Sequence, residues 1–131
     1  MDRSSPSLGC AHFNQLPYRY LEPPAGVDAV LELDVTDDIL GPNGSVHAAI
    51  TMLIADCAGS MAIAAASGRQ GATQNVQVHL VSAAKVGPLR ASAVLVRASR
   101  HSALADVRVV DAGNGDRIVA VAHVSCALFD A

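Results

Sequence analysis

Apolar and polar side chains alternate between Val27 and Thr36. Val27, Ala29, Leu31, Leu33 and Val35 fall on one side, and Asp28, Glu32 and Asp34 on the other. A period of two predicts a half-buried strand. After a turn-rich loop, Asp37 to Gly44, the pattern changes: the 22 residues from Val46 to Ser67 carry no formal charge except Asp56. That run predicts a long helix, with Ser45 as N-cap and Gly68 just past its end. A serine hydroxyl accepts from the free N–H groups of a first turn, and glycine tolerates the left-handed backbone that closes a last one. Strand-like runs follow at roughly 73–82, 88–98, 102–111 and 117–129. The turn residues Gly87-Pro88, Ser99-Arg100-His101 and Gly113-Asn114-Gly115-Asp116 separate the later runs, and such short links predict an antiparallel meander of four strands. Residues 1–26, with prolines at 6, 17, 23 and 24, predict no regular element.

The lengths match. A helix of 22 residues spans about 33 Å, and a strand of nine or ten residues about 30 Å, so one curled antiparallel sheet can enclose the helix along its whole length. The fold class expected is therefore α+β, a single domain over residues 1–131. The competing arrangement, a two-layer sandwich with the helix on an open face, calls for a polar stripe that this helix lacks. The helix also resembles a membrane span, but the Asp56 carboxylate at mid-span would cost about 2.5–3.5 kcal/mol. A helix apolar all round is equally at home inside a protein, and that is the reading adopted.

Composition narrows the function. The chain has 131 residues, 51% hydrophobic, with a net charge of −3; Phe13, Tyr18, Tyr20 and Phe129 are its only aromatics. Without a basic field or a stacking platform, nucleic acid is not an expected partner. Cys10, Cys57 and Cys126 are odd in number and far apart, which points to free thiols in a reducing, cytoplasmic setting. Met1 to Tyr18 holds no apolar stretch of signal-peptide length. The five histidines form no ligand cluster, so neither a metal nor a cofactor is expected.

Gly44-Ser45-Val46-His47-Ala48-Ala49, with Asp56 nine residues after the histidine, resembles the signature of the PaaI-type hotdog thioesterases. In that family a Gly-x-x-His-Gly-Gly turn opens the central helix and an acidic residue follows at this spacing. Thr73 to Leu80 with Ser82 to Gly87 resembles the family's third strand and following turn, and Ile118 to Ala122 its closing strand. The likeness runs from about residue 25 to the C-terminus. Two positions depart from it: His-Gly-Gly is His47-Ala48-Ala49, and Gly41 stands where the family often has an asparagine, the nearest being Asn43. The resemblance implies a hotdog fold, an acyl-CoA thioesterase and a dimer.

Thioester hydrolysis needs a base or nucleophile near the carbonyl carbon and donors aimed at the developing oxyanion. The helix start offers free N–H groups and a positive dipole end. The resemblance gives the donor to Ala48 and the base or nucleophile to Asp56; the alternative for Asp56 is a buried, hydrogen-bonded structural carboxylate. The alternatives for His47 are to orient the loop or to hold a backbone carbonyl. Thr73 either orients the attacking water or simply begins a strand. Asn43, Gly44, Ser60, Arg97 and Arg100 are candidate substrate contacts, the arginines for coenzyme A phosphates or as solvated surface charge. Cys57 beside Asp56 invites a thiol nucleophile reading, set aside because small buried cysteines are the commoner case. Phe13 to Tyr20 either lids the acyl pocket or caps one end of the barrel.

Nine residues are two and a half helical turns, so His47 and Asp56 project from opposite sides, about 13 Å apart along the axis. One chain can hardly offer both to one carbonyl. A two-fold dimer with antiparallel helices can, which predicts two composite sites. Apolar residues on both faces of 88–98 and 117–129 further suggest a dimer of dimers. The functional expectation is an acyl-CoA thioesterase; the alternative is a non-catalytic acyl-CoA-binding protein on the same fold.

Overall fold

The computed structural model describes residues 6–129; residues 1–5 of the segment expected to be irregular, and 130–131, lie outside them. In chain order the elements are β1 (Tyr18–Leu21), β2 (Ala29–Leu33), α1 (Ala48–Ser67), β3 (Gly71–Leu80), β4 (Leu89–Ala98), β5 (Ser102–Asp111) and β6 (Arg117–Leu128). The strands form one antiparallel sheet in the order β1-β2-β4-β5-β6-β3, with α1 packed on its inner face. The four strands expected after the helix all form. Alternation along them explains the core: Ala91 and Ala93 of β4, Ala105 and Val107 of β5, and Ala122 and Val124 of β6 are buried under the helix. Small side chains let helix and sheet approach closely. At Gly59 an added methyl would stand 2.7 Å from Cβ of Val124.

The four-strand meander needs correction. Only β4, β5 and β6 follow one another in space; β3 crosses to the far edge and pairs with β6. The link 81–88 must then travel back over the ends of β6 and β5, and it is pinned on the way. Val81 N–H donates to Val119 O at 2.7 Å, and Val46 N–H to Ala84 O at 2.9 Å. The buried Asp111 carboxylate accepts from Lys85, Val86 and Gly87 N–H at 3.0, 3.1 and 2.6 Å. Burial by itself would raise the Asp111 pKa, but the three donors outweigh it and hold the carboxyl below its ordinary value.

Three local expectations also change. The segment 1–26 contains a strand, β1, which pairs along β2. β2 is shorter than Val27–Thr36 and buried at every position rather than on one face. Its polar residue Glu32 is covered by the arginines of both neighbouring strands, Arg19 at 3.0 Å and Arg90 at 2.9 Å. The helix begins at Ala48, two residues later than expected, because Val46 is tied to Leu40 and Ala84; His47, not Ser45, is the N-cap. Gly68 closes the helix in the left-handed region as anticipated, at φ 70°.

The helix is not enclosed all round. Thr51, Ile54, Ala55, Ala58, Gly59, Ala62 and Ile63 are buried, a stripe spaced by threes and fours that faces the sheet. By length and mean hydropathy, 1.7 over its most apolar stretch, α1 could cross a membrane; in this fold it is the core helix of the sheet. Its other side stays partly open, with Met52 42% exposed. Residues 6–16 lie against that side, and Leu8 is buried there at 6% exposure.

Candidate active site

The first turn of α1 leaves its N–H groups without intrahelical partners. Ala49 N–H is taken by the imidazole of its own N-cap, His47 Nδ1, at 3.0 Å, and Ile50 N–H bonds His47 O at 2.9 Å. Ala48 N–H has no partner among the described residues. The donor assigned by the resemblance is thus the one left open. Ala48 lies in the right-handed helix, and among the described residues the only non-glycine with positive φ is Asp116, so alanine in place of the family glycine carries no strain here. Because Nδ1 accepts, it carries no proton, and His47 serves to shape the turn.

This turn borders a cleft of about 480 Å³ lined by Gly41, Asn43, His47, Ala48, Val81 and Ala84 among others. Gly44, at φ 77°, shapes the same loop without lining the cleft; a side chain would be strained there.

Asp56 lies elsewhere, on a second cavity of about 350 Å³ shared with Ser60, Cys57, Met61, Tyr20 and Leu8. Its Oδ1 accepts from Thr73 Oγ1 at 2.8 Å and from Ser60 Oγ at 3.4 Å, and the two hydroxyls stand 3.2 Å apart. Both bonds fall on one oxygen; Oδ2 takes none among the described residues, which leaves it free to meet a water or a carbonyl carbon. Ser60 reaches Asp56 because residues i and i+4 share a helix face. Thr73 reaches it because of a β-bulge. Thr73 pairs with Cys126 but Asn75 with Ser125, so Gln74 is the extra residue and the inward phase shifts from Val76 and Val78 to Thr73.

The structure does not gather every candidate. Arg97 and Arg100 are exposed and line neither cavity. Arg69, which the sequence reading missed, lines the Asp56 cavity and holds the turn between β4 and β5 through Ser99 O at 3.1 Å and Arg100 O at 2.7 Å. Cys57 is a poor nucleophile: burial first, then the Asp56 charge, push its thiol up to about 12. Among the described residues, no three metal-ligating side chains converge.

The helix-on-curled-sheet architecture is the hotdog fold, and comparison with known proteins agrees. The model of the thioesterase superfamily matches residues 43–118, more than half of the chain, which therefore belongs to that superfamily of thioester hydrolases. A structural-genomics target from the thioesterase superfamily is 26% identical, with a TM-score of 0.78 over 90% of this chain and 89% of that one. Zebrafish thioesterase superfamily member 2 is 22% identical, with a TM-score of 0.79 over 92% and 89%. A Streptococcus pneumoniae thioesterase protein with coenzyme A is 18% identical, with a TM-score of 0.76 over 86% and 85%. No curated protein sequence matches the chain.

Proposed function

We propose that the protein hydrolyses acyl-CoA thioesters as a PaaI-type enzyme, at sites each built from two chains. The observation that carries this reading is the division of one helix: an open N–H at Ala48 at its start, and about 12 Å further along it, on a different cavity, the Asp56 carboxylate, held by Thr73 and Ser60 through a single oxygen. The bound coenzyme A of the Streptococcus pneumoniae relative supports a coenzyme A thioester here.

Asp56 of one chain takes a proton from water as the water oxygen attacks the thioester carbonyl carbon. The carbonyl oxygen becomes an oxyanion and is met by the Ala48 N–H of the other chain. Collapse breaks the C–S bond; the coenzyme A thiolate leaves with the proton from Asp56, and the free acid remains. Thr73 and Ser60 fix the carboxylate so that Oδ2 faces the reaction.

Two features support the dimer. β3 is an exposed edge strand whose free side has no charged residue beyond a histidine, an edge suited to pairing with another strand. The open side of α1 needs a partner of similar polarity. Val94, Val96, Leu104 and Ile118, exposed on or beside the outer sheet face, offer a second surface for a dimer of dimers. The free cysteines fit a reducing, cytoplasmic compartment.

The test is thiol release from a panel of acyl-CoAs. Asp56→Asn should lower kcat by about 10²–10⁴-fold, the range of a lost general base, with the dimer intact by light scattering. Undiminished turnover, or tight binding by wild type with no thiol release from any acyl-CoA, would overturn the assignment, the latter in favour of a pure binder.

A further inference from the structure

Leu8 is buried although it lies ten residues before the first strand. Its segment is clasped. Leu8 N–H donates to Asn14 Oδ1 at 2.7 Å, Asn14 Nδ2 donates to Ser7 Oγ at 2.9 Å, and Tyr18 Oη donates to Pro6 O at 2.8 Å. These bonds close residues 6–18 into a strap that crosses the open side of α1. The strap ends up in the Asp56 cavity, where Leu8 faces Tyr20, Cys57 and Met61.

That cavity has two chemically different ends. Asp56 and Ser60 form the reactive end. At the other, the polar atoms are spent on one another: Tyr20 Oη donates to Cys57 O at 3.4 Å, and Cys57 Sγ to Leu8 O at 3.7 Å. What the strap and its neighbours offer a ligand is therefore hydrocarbon, from Leu8, Met61 and the Tyr20 ring, while Arg69 and Gln70 also line the cavity. We infer that the strap is the acyl-chain stop of the enzyme, with Leu8 and Tyr20 closing the pocket against the far end of the acyl group and selecting acyl thioesters by chain length. The volume agrees: about 350 Å³ lies at the small end of ligand cavities.

This inference rests on the proposed thioesterase reading but fails separately from it. The experiment measures kcat/KM for straight-chain acyl-CoAs from acetyl to palmitoyl with wild type, Leu8→Ala and Asn14→Ala. Binding of the same panel to Asp56→Asn, alone and combined with each strap variant, is measured by calorimetry. Wild type should favour short to medium chains. Leu8→Ala should move the preference to longer chains, raising the long-to-short ratio of kcat/KM by about tenfold or more, since each extra methylene in a fitted pocket is worth at least that. Asn14→Ala opens the clasp without touching the core and should shift the ratio the same way, so the test survives if Leu8→Ala does not fold. Thiol release with chain-length profiles that superimpose in all three proteins would overturn the strap and leave the hydrolase. Chain-length-selective binding that shifts in the strap variants, with no thiol release from wild type, would overturn the hydrolase and leave the strap.

Discussion

Ala48→Pro isolates the proposed oxyanion donor more cleanly than any truncation. The substitution removes a single N–H, and that N–H bonds nothing within the described chain, so no hydrogen bond of the fold is lost. Ala48 is the first helical residue, the position where proline is best tolerated, because its missing N–H would be unpaired anyway and its fixed φ suits a helix start. The preceding residue fits as well: His47 has φ −57° and ψ 135°, the extended conformation that a following proline requires. Stability should hold, or rise by about 0.4–1 kcal/mol through the stiffer unfolded chain. Activity should not hold. Loss of one preorganised donor costs about 10²–10³-fold in kcat, or about 2.7–4 kcal/mol of transition-state stabilisation.

The assay has two stages. Thiol release and thermal melts on Ala48→Pro test the donor itself. Unfolding and refolding an equal mixture of Ala48→Pro and Asp56→Asn then tests where it acts. In a two-fold dimer half of the reassembled molecules are hybrids, and each hybrid holds one doubly damaged site and one intact site, so about a quarter of wild-type activity should return. A site contained in one chain predicts no return at all. Full activity in Ala48→Pro, or no recovery in the mixture, would refute the composite site.

Two further outcomes concern the frame that holds this geometry. Gly59→Ala should destabilise by about 1–2 kcal/mol: overpacking against the buried Val124 costs about 1–3 kcal/mol and exceeds the gain in helix propensity of at most about 1 kcal/mol. In a Val124→Ala background the same change should become neutral or stabilising, and urea unfolding of the four proteins checks it; stabilisation by Gly59→Ala alone would sink the account. Asp111→Asn should cost about 2–3 kcal/mol near neutral pH by leaving a buried N–H of the link 81–88 without an acceptor. Because the folded pKa of Asp111 is depressed, its contribution is complete above the unfolded value of about 3.9 and is lost as pH falls through the lower folded one. The stability gap between variant and wild type should therefore narrow below about pH 4; a gap that widens in acid would show that the carboxylate plays no such part.

Hydropathy alone located the strands after the helix to within a residue or two, since β4, β5 and β6 alternate cleanly against a buried face. It could not locate β1, four residues fenced by prolines, whose strand character comes from pairing with β2. Nor could it place β3, because nothing in the link 81–88 says which strand it leads away from; the anchor for that link, Asp111, lies far along the chain. Of the candidate site, what helix geometry made legible is the placement: Ser60 one turn on from Asp56 and within its reach, and His47 with Ala48 at the helix start. Thr73 was named from resemblance, but its alternation with Val76 and Val78 would have turned it outward, and only the bulge at Gln74 brings it to Asp56. Leu8 and Arg69 gave no signal, because their places depend on side-chain contacts between distant segments.

The curled sheet wraps α1 as expected but leaves one side of the helix partly open, and that side carries no polar stripe. A helix on an open face was expected to show a polar stripe, on the premise that water covers whatever the sheet does not. Here the uncovered side is apolar and small, with Ala49, Leu53 and Ala64 beside Met52, Cys57 and Met61. The strap covers part of it, and in the proposed dimer a second helix of the same kind covers more. Small side chains on both helices would let them lie close enough for Ala48 of one to face Asp56 of the other. Eight residues, about 2.2 turns or about 12 Å along the axis, forbid that meeting within a chain. The scarcity of charge that would allow two such helices to pack in the proposed dimer also leaves Asp56 as the one carboxylate on α1, with Thr73 and Ser60 as its hydrogen-bond partners.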